Sequence, residues 1–338
     1  PPSTTSANCS LLRCRVKTMT ILAIHGGAGG DGEWRGLTSL DPERIRCMHH
    51  VLNSIGHALE SGSIDALEAV TQAVELMEDE SLFNAGIGSV LDEDGTVTMD
   101  ASIMNGTDGA AGSVVNVRQI RHPIRAANYI LKQGWPVMLN SEAADKFAIQ
   151  KGVEKVKPSW LITELRQKQW NLWKEQNARP GATDEDDSVL DHDLEGMGTV
   201  GAVALDRDGN VAAATSTGGM TGKPKGRIGD TPIIGAGTWA DTNIAVSCTG
   251  VGEAFIRTCA AHRLATKFEA GLSLDDACRD VLDAVEPIGG RGGVIAVTRD
   301  GDVATPFQTM LMYRGVWKHG EITIGIGPND VDLDSMDS

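Results

Sequence analysis

The sequence predicts an α+β protein with largely antiparallel sheets, and three observations support this fold class. Asp-Gly pairs at residues 94–95, 208–209 and 300–301 lie between apolar segments, a pattern typical of tight β-hairpin turns. Pairs of amphipathic helical segments accompany these hairpins in both halves of the chain. Because hairpins join antiparallel neighbours, whereas a parallel sheet needs crossover connections, the pattern favours antiparallel sheets. With 338 residues, 41% of them hydrophobic, the chain can bury a sizeable core.

The N-terminal half is predicted to begin with a strand at residues 20–24 and to continue with a pair of helices. Asp41 serves as N-cap of the first helix, with a proline at its first position, and Gly62 ends it. Ser63 is expected to cap the second helix. The other elements predicted in this half are a hairpin at 89–102 and helices near 123–133 and 141–151.

The C-terminal half repeats this plan. Two hairpins are predicted, at 199–216 and 293–307, with two helices between them. The first helix is placed near 252–270. The second covers 274–284 and begins with a capping box at Ser273.

Two segments differ from the rest in composition. Residues 1–18 lack acids, a signal-peptide core and a helical period, so we interpret them as an N-terminal extension before Met19, with a transit peptide as the alternative. Residues 179–198 carry seven acidic residues between 184 and 195, which indicates a solvated, mobile linker.

Composition excludes several classes of function. The 30 Lys and Arg against 46 Asp and Glu give a net charge of −16, which repels nucleic acid and anionic membrane surfaces. No segment approaches the roughly 20 consecutive apolar residues of a membrane span. The six cysteines form no CxxC pair and are interpreted as reduced thiols of a cytoplasmic protein. The spacing of His and Cys indicates no metal site.

A first glycine cluster, residues 25–32, formally matches a dinucleotide-binding fingerprint at Gly27, Gly29 and Gly32. Such a fingerprint must open a helix whose N-terminus meets the phosphate. Residues 33–43 instead bring a glycine and a proline before any helical period starts. We therefore interpret the cluster as a tight loop at the end of a central strand.

A second, denser glycine cluster covers residues 215–241 and 247–255, and places polar side chains beside backbone that a ligand can approach closely. Its Arg227 and Asp230 have the charges needed to bind an amino-acid zwitterion, with the Arg227 fork on the α-carboxylate. On spacing alone, an ion pair between Arg227 and Asp230 is an equal alternative. The hydroxyl groups of the cluster include those of Thr215, Ser216, Thr217 and Thr249.

Thr199 is the first residue after the acidic segment and the first of a predicted strand. Inside an intact chain it is one β-former among many. If the chain were cut before Thr199, this residue would carry a hydroxyl nucleophile and a free α-amine of pKa about 7.7 to 8.0. That combination is a recognised catalytic pair, although composition alone does not show the cut.

Five motifs resemble the plant-type L-asparaginase and isoaspartyl peptidase family of N-terminal nucleophile hydrolases. In chain order they are IHGGAG at 24–29, LFNAGIGSV at 82–90, GTVGAVALD at 198–206, ATSTGGMTGKPKGRIGD at 214–230 and SCTGVGE at 247–253. The resemblance covers residues 20 to about 315, which is nearly the whole chain.

The resemblance implies a four-layer αββα sandwich, made as an inactive precursor that cleaves itself between Gly198 and Thr199. Residues 19–198 would form the α subunit and residues 199–338 the β subunit, both within one domain. By this similarity, Thr199 attacks the side-chain amide of asparagine or the isopeptide bond of a β-aspartyl dipeptide. An acyl-enzyme forms, ammonia or an amino acid leaves, and water releases aspartate.

The resemblance also assigns roles around the nucleophile. Thr217 would hydrogen-bond the region of Thr199, while the Thr249 hydroxyl and the Gly250 N–H would form the oxyanion hole. Asn84 would lie near the nucleophile, with the capping of a turn as its alternative role.

Substrate binding is implied at three further residues. Arg227 would hold the α-carboxylate, and Asp230 with the Gly252 carbonyl would hold the α-ammonium. This arrangement explains a preference for β-linkages, because both α groups must be free when the side-chain acyl group reaches the nucleophile.

The family further implies a dimer of αβ units, no organic cofactor and a structural sodium ion bound mainly by backbone carbonyls. Carbonyl ligands leave no side-chain signature in a sequence. The backbone positions implied for sodium are Met77, Glu78, Glu80, Phe83, Ala85 and Ile87.

The chain departs from the common family pattern at Val251, Gln308, Met310 and Leu311, which puts the leaving-group preference in doubt. Two alternatives stay open. One is glycosylasparaginase of the same superfamily. That enzyme normally works in lysosomal or secretory settings, whereas this sequence shows no signal-peptide pattern and no disulfide-like spacing. The other is a non-catalytic protein that binds aspartate or asparagine on the same scaffold and never matures.

Overall fold

The fold is described here from a computed structural model, which covers residues 19–30, 32–177 and 198–333. These residues form two sheets and a set of helices, so the predicted α+β class is confirmed. The predictions for the 1–18 extension, and for the acidic segment up to residue 197, lie outside the described residues.

Strands and helices follow one another along the chain without a regular alternation. The strands are β1 (Ile21–Gly29), β2 (Met99–Asn105), β3 (Ala111–Val117), β4 (Met138–Asn140), β5 (Val200–Leu205), β6 (Val211–Thr217), β7 (Thr238–Ala240), β8 (Ile244–Gly250), β9 (Gly292–Thr298), β10 (Val303–Ala304), β11 (Leu311–Lys318) and β12 (Glu321–Gly325). The α-helices are α1 (Asp41–Ser61), α2 (Ala66–Glu78), α3 (Pro123–Gln133), α4 (Ser141–Gln150), α5 (Glu164–Asn177), α6 (Gly252–Thr258), α7 (Ala260–Glu269) and α8 (Leu274–Val285). Short 3₁₀ helices occupy Gly86–Gly88, Pro158–Leu161 and Glu286–Ile288.

The larger sheet has the strand order β12-β11-β1-β5-β6-β2-β3-β4, and the smaller has β10-β9-β8-β7. Neighbouring strands are antiparallel except β3 and β4, which pair in parallel. The strand that follows Thr199, β5, lies near the middle of the larger sheet between β1 and β6. The topology therefore places the start of β5 deep within the fold.

The two sheets pack face to face through an apolar layer. Ile21 of β1 and Val203 of β5 contribute to this layer from the larger sheet, and Ile295 and Val297 of β9 contribute from the smaller. Because successive strand residues point to opposite faces, Leu22 faces the other way, into a core shared with α1 and α2. Helices α6, α7 and α8 enclose a third cluster on the outer face of the smaller sheet.

Several predicted elements are confirmed with small shifts in their ends. They are the helices near 123–133 and 141–151, the hairpins at 199–216 and 293–307, and the helix near 274–284. Ser273 caps α8 by accepting a hydrogen bond from the backbone N–H of Asp276.

The interpretation of residues 25–32 as a loop is wrong for residues 25–29, because β1 continues through the first glycines to Gly29. The strand bulges between His25 and Gly27, where its register against β11 shifts. Gly27 has φ +108°, and a Cβ there would lie 2.5 Å from the backbone nitrogen of Gly198. The glycine thus lets the strand bulge and lets the residue before Thr199 pack directly against the backbone.

In addition to the N-cap of α1, which is Leu40 and not Asp41, three other predictions need correction. The N-cap of α2 is Asp65, whose carboxylate accepts from Glu68 N–H, and not Ser63. The helix placed at 252–270 is divided into α6 and α7, because Cys259 adopts a left-handed φ of +49°.

The hairpin predicted at 89–102 is the third correction. It retains its turn, but its two arms meet only at an isolated bridge between Leu91 and Val97. Its second arm enters β2, which pairs with β3 and β6 instead. No helix in the described ranges is long and apolar enough to cross a membrane.

Packing between α1 and β11 gives a stability prediction. Gly56 of α1 faces the buried indole of Trp317, and a Cβ at position 56 would lie 2.4 Å from the indole Cγ. Gly→Ala inside a helix ordinarily stabilises by about 1 kcal/mol, but overpacking costs about 1 to 3 kcal/mol. We expect Gly56→Ala to lower the free energy of unfolding, measured as a lower urea midpoint. Asn53→Ala, on the exposed side of the same helix, is the control and should cause no loss. A Gly56→Ala protein as stable as its parent would contradict this packing.

Candidate active site

Most of the predicted site residues meet at one cavity of about 40 Å³. The cavity lies where the start of β5, the end of β6 and the start of α6 come together. Of the predicted residues, its lining includes Asn84, Gly198, Thr199, Thr217, Arg227, Asp230, Gly250 and Gly252. Val251 also lines it, whereas Gln308 and Met310 are not among the described lining residues.

The two threonines at the centre of the cavity are held together by sheet register. Thr199 immediately precedes β5 and Thr217 ends β6, and these strands pair so that Val200 lies opposite Ser216. The Thr199 hydroxyl donates to Thr217 Oγ1 at 3.1 Å. Thr217 Oγ1 also accepts from the Gly219 N–H at 3.0 Å. Both threonines are buried, so the Thr199 hydroxyl is held in one orientation beside the cavity.

A buried histidine, His25, holds the backbone of Thr199 in place. Its Nδ1 lies 2.9 Å from the Thr199 carbonyl oxygen and its Nε2 lies 2.9 Å from Ser247 Oγ. Burial lowers the pKa of His25 to about 3, against the opposing effect of the Thr199 hydrogen bond, so the ring is neutral. Since a carbonyl can only accept, Nδ1 donates to Thr199 and Nε2 accepts from Ser247. Beyond Ser247, the chain of buried hydroxyls continues through Thr215 and Thr238.

Thr249 and Gly250 approach the cavity from β8 of the smaller sheet. Thr249 Oγ1 accepts from the Ala28 N–H at 3.3 Å. A Cβ on Gly198 would lie 3.3 Å from that hydroxyl, which places Thr249 beside the residue preceding Thr199. Gly250 has φ +149°, and a Cβ there would lie 2.1 Å from the Arg291 carbonyl oxygen. Only glycine fits at this position.

The structure pairs Arg227 with Glu253 and not with Asp230, so an ion pair between Arg227 and Asp230 is wrong. Arg227 Nε and Nη2 each lie 2.8 Å from a carboxylate oxygen of Glu253. Although burial opposes the shift, this pairing raises the pKa of Arg227 and lowers that of Glu253. The guanidinium is therefore charged and firmly held at the edge of the cavity.

Asp230 is a buried carboxylate that faces the same cavity. Burial raises its pKa to about 7, although nearby Arg227 opposes the shift. Its Oδ2 has no hydrogen-bond partner among the described residues, and its Oδ1 lies 2.9 Å from where a Cβ on Gly252 would sit. A buried carboxylate without a partner is costly, so this position favours a ligand that brings a positive charge.

Asn84 lines the cavity together with Thr199 and braces its wall. Its Nδ2 donates to the Gly219 carbonyl at 2.7 Å, and its Oδ1 accepts from the Val90 N–H at 3.0 Å. The Gly218 N–H also donates to the Asn84 carbonyl at 3.0 Å. Asn84 thus ties its own loop to the segment that follows Thr217.

Sequence reasoning missed three polar residues around this cavity: His25, Lys223 and Glu253. Lys223 is buried and donates to the Gly218 and Thr98 carbonyls at 2.7 and 2.9 Å, and burial lowers its pKa to about 8. His25 opens the glycine cluster that was interpreted as a loop, and Glu253 closes the SCTGVGE motif. All three residues lie inside the motifs named above, and this was the signal in the sequence that could have pointed to a functional role. Their pairing with Thr199, Thr98 and Arg227 could not be predicted, because these partners are distant in the chain.

The segment implied for sodium runs from the end of α2 through turns into the 3₁₀ helix at Gly86–Gly88. A Cβ on Gly86 would lie 2.1 Å from the Glu78 carbonyl oxygen, and one on Gly88 would lie 1.9 Å from that of Phe83. These glycines therefore allow the chain to pack closely against the Glu78 and Phe83 carbonyl oxygens, and oxygen is the ligand atom that hard cations prefer. No group of three or more His, Cys, Asp or Glu side chains in the described parts of the chain is placed to hold a metal ion.

Comparison with known proteins shows the family to which the chain belongs. The chain is 44% identical to the isoaspartyl peptidase of Escherichia coli (strain K12), over 87% of this chain and 91% of that protein. It is 42% identical to a putative isoaspartyl peptidase/L-asparaginase of Dictyostelium discoideum, over 88% of this chain and 92% of that protein. It is 36% identical to the isoaspartyl peptidase/L-asparaginase of Homo sapiens, over 94% of this chain and 99% of that protein. Residues 18–326 match the family described as Asparaginase, and the chain belongs to this asparaginase family.

Proposed function

We propose that this chain is a self-processing threonine hydrolase that cleaves the side-chain amide of L-asparagine and the isopeptide bond of β-aspartyl dipeptides. One observation carries the proposal. The Thr199 hydroxyl shares a small cavity with a guanidinium at Arg227 and with a buried carboxylate at Asp230, whose Oδ2 has no partner among the described residues. A nucleophile beside separate sites for a carboxylate and an ammonium suits an amino acid that reacts through its side chain. The relatives named as isoaspartyl peptidases and L-asparaginases support this substrate class.

Maturation begins with an attack inside the chain. The Thr199 hydroxyl oxygen adds to the carbonyl carbon of Gly198, and the Gly198–Thr199 C–N bond breaks, which leaves an ester on Thr199 Oγ1. The departing nitrogen takes a proton and becomes the free α-amine of Thr199. Water then hydrolyses the ester, which restores the hydroxyl and leaves Gly198 with a carboxylate. Thr249 Oγ1, beside Gly198, supports the first step by hydrogen-bonding the developing oxyanion.

Substrate hydrolysis reuses the same hydroxyl. The free α-amine of Thr199, with an ordinary pKa of about 7.7 to 8.0, takes the hydroxyl proton as the oxygen attacks the substrate side-chain carbonyl. The Thr249 hydroxyl and Gly250 N–H bind the resulting oxyanion. The amine then gives its proton to the leaving ammonia or amino acid, and water hydrolyses the acyl-enzyme to release aspartate.

Recognition follows from the charges around the cavity. Arg227 would bind the α-carboxylate, while Asp230 and the Gly252 carbonyl would bind the α-ammonium. Asp230 is buried without a partner for Oδ2, so a bound ammonium removes an unfavourable feature of the ligand-free site. In a normal α-linked aspartyl peptide the α-carboxyl group is consumed in the peptide bond, so Arg227 would have no carboxylate to bind, which accounts for the preference for β-linkages.

The mature protein would consist of an α subunit, residues 19–198, and a β subunit, residues 199–338, in one four-layer αββα domain. The stacked apolar clusters between the sheets and on their outer faces support this arrangement. Strands from the two subunits alternate in the larger sheet, where β1 and β2 flank the β5–β6 hairpin. The hydrogen bonds between β1 and β5 and between β2 and β6 would hold the two subunits together after the cut.

Sodium binding and assembly complete the proposal. Backbone carbonyls between Met77 and Ile87 would hold a sodium ion, which would stabilise the loop that carries Asn84. We expect two αβ units to associate as a dimer. The proposed enzyme uses no organic cofactor.

The role of Thr199 gives the first functional prediction. We expect Thr199→Ala to abolish both self-cleavage and the hydrolysis of asparagine and β-aspartyl dipeptides, because no hydroxyl remains to attack. Gel electrophoresis measures self-cleavage. Release of ammonia from asparagine, and of the second amino acid from a β-aspartyl dipeptide, measures hydrolysis. Thr266→Ala, at an exposed position on α7, is the matched control and should behave like the parent. Two subunits from the Thr199→Ala chain would refute the mechanism, and turnover of a glycosylated asparagine by the parent would favour the glycosylasparaginase alternative.

Arg227 gives the second prediction. We expect Arg227→Ala to mature normally but to weaken aspartate binding by about 2 kcal/mol or more, roughly thirtyfold. Calorimetric titration with L-aspartate measures this loss. Arg279→Ala removes an exposed arginine on α8 and controls for the change in net charge. Unchanged aspartate affinity in Arg227→Ala would overturn the assigned role.

Asp230 gives a pH prediction. Because burial raises its pKa to about 7, Asp230 becomes protonated, and loses its attraction for an ammonium, as the pH falls below that value. The carboxylates of free aspartate keep ordinary pKa values near 4. We therefore expect aspartate affinity to fall by about tenfold per pH unit between pH 7 and pH 5. Asp230→Asn should bind weakly with no such slope, and a flat profile in the parent would contradict the assignment.

A further inference from the structure

We propose that Trp173 of α5 is a positioning residue that supports one wall of the cavity, the loop of residues 220–227. The inference rests on the proposed function and adds to it a residue with no assigned role. Its basis is the packing of the Trp173 indole directly on the backbone of Gly222, in the middle of this loop. A Cβ at Gly222 would lie 2.0 Å from Trp173 Cε2 and 2.5 Å from its Nε1.

The loop consists of two consecutive turns that begin and end at the cavity. The Lys223 N–H donates to the Met220 carbonyl at 3.1 Å, and the Arg227 N–H donates to the Pro224 carbonyl at 3.0 Å. Gly222 is the third residue of the first turn, where its φ of +73° favours glycine. Met220 and Arg227 line the cavity, while Gly222 between them lies on Trp173. A displacement at Gly222 therefore reaches the wall where the substrate would bind.

Helix α5 offers this support from a face that is anchored independently. The face follows the helical spacing i, i+3, i+4, i+7 and consists of Arg166, Gln169, Trp170 and Trp173. The first two residues are buried and the two tryptophans are half-buried. Trp170 Nε1 donates to the Asp92 carbonyl at 2.8 Å. The helix would therefore stay in place when only the Trp173 ring is removed.

Three further contacts hold the middle of the loop. The Gly222 N–H donates to the Leu91 carbonyl at 2.8 Å, and the Lys223 carbonyl accepts from the Glu93 N–H at 3.0 Å. The buried Lys223 ammonium is a point contact on a flexible stem. The rigid Trp173 ring instead occupies the place of the side chain that Gly222 lacks. It therefore blocks movement of the first turn toward α5.

The second turn depends on the first for its position. Residues 224–226 are exposed. Lys225 pairs with Asp94, and Arg227 pairs with the exposed carboxylate of Glu253. Ion pairs with exposed partners contribute little to stability, so a shift of the first turn is expected to carry Arg227 with it.

Trp173 acts through its shape, because its Nε1 has no hydrogen-bond partner among the described residues. Without the ring the loop can take other positions, and the apparent affinity falls by the fraction of time that it spends in the binding position. The nucleophile Thr199 lies on another element, so kcat should change little. The opposite expectation is that Trp173 only stabilises the fold, in which case its removal lowers the thermal midpoint and leaves aspartate affinity unchanged.

The test is a double-mutant cycle of Trp173→Ala and Gly222→Ala. The parent, both single variants and the double variant are compared by calorimetric titration with L-aspartate, by kcat and KM for a β-aspartyl dipeptide, and by thermal midpoint. Trp173→Phe keeps an aromatic ring without the N–H. Leu172→Ala, an exposed neighbour on α5, is the matched control. The time course of self-cleavage is followed in every variant.

We expect Trp173→Ala to weaken aspartate binding and raise KM roughly tenfold, with kcat and self-cleavage close to the parent values. Trp173→Phe should retain most of the affinity, and Leu172→Ala all of it. Gly222→Ala should also weaken binding, because its Cβ meets the indole and its positive φ disfavours alanine. In the Trp173→Ala background the same change should cost less, because the indole is absent.

Unchanged aspartate affinity in a folded Trp173→Ala protein would overturn the proposal, as would a loss confined to kcat or losses that simply add in the double variant. If Trp173→Ala does not fold, Trp173→Leu takes its place in the cycle, since it keeps an apolar side chain without the flat ring. A parent that binds aspartate but neither cleaves itself nor hydrolyses the dipeptide would refute the proposed function instead, while the aspartate titrations would still decide the role of Trp173.

Discussion

The antiparallel pairing of β5 between β1 and β6 is the constraint on which the rest of the site depends. It sets Thr199 beside Thr217 and brings the Thr199 carbonyl to the neutral His25 of β1. A slip of one residue would turn every side chain of β5 to the opposite face and would exchange Val203 for Ala202 in the layer between the sheets. The apolar packing of the whole domain therefore holds the hydroxyl in place.

The buried polar groups near the site share one physical requirement, a hydrogen-bond partner. A buried histidine, several hydroxyls and a buried lysine are costly unless each finds a partner. His25 meets this requirement through Thr199 and Ser247, and Lys223 does so through two backbone carbonyls. Asp230 lacks a partner for one oxygen among the described residues. Asp230 lines the cavity, so a ligand that brings a positive charge supplies the partner that this oxygen lacks.

The sequence predicted the fold class and the components of the site, but not how they pair. Local signals sufficed for the β5–β6 hairpin and for the Ser273 cap, because a Gly turn or a capping side chain acts within a few residues. Strands β3, β8 and β11 were not predicted, although each pairs with a strand that is its neighbour in the sequence. The Arg227–Glu253 pair was missed because the two residues are 26 positions apart and no local pattern links them. The bulge in β1 could not be told from a loop, because glycine is compatible with both.

The central claim is that the chain cuts itself before Thr199 and exposes the amine that completes the catalytic pair. The most direct measurement is intact mass together with N-terminal sequencing of the purified protein after incubation at neutral pH. We predict two fragments whose masses sum to that of the chain plus one water, the smaller beginning Thr-Val-Gly-Ala. A single uncut chain that nevertheless hydrolyses asparagine, or a cut at any other bond, would contradict the account.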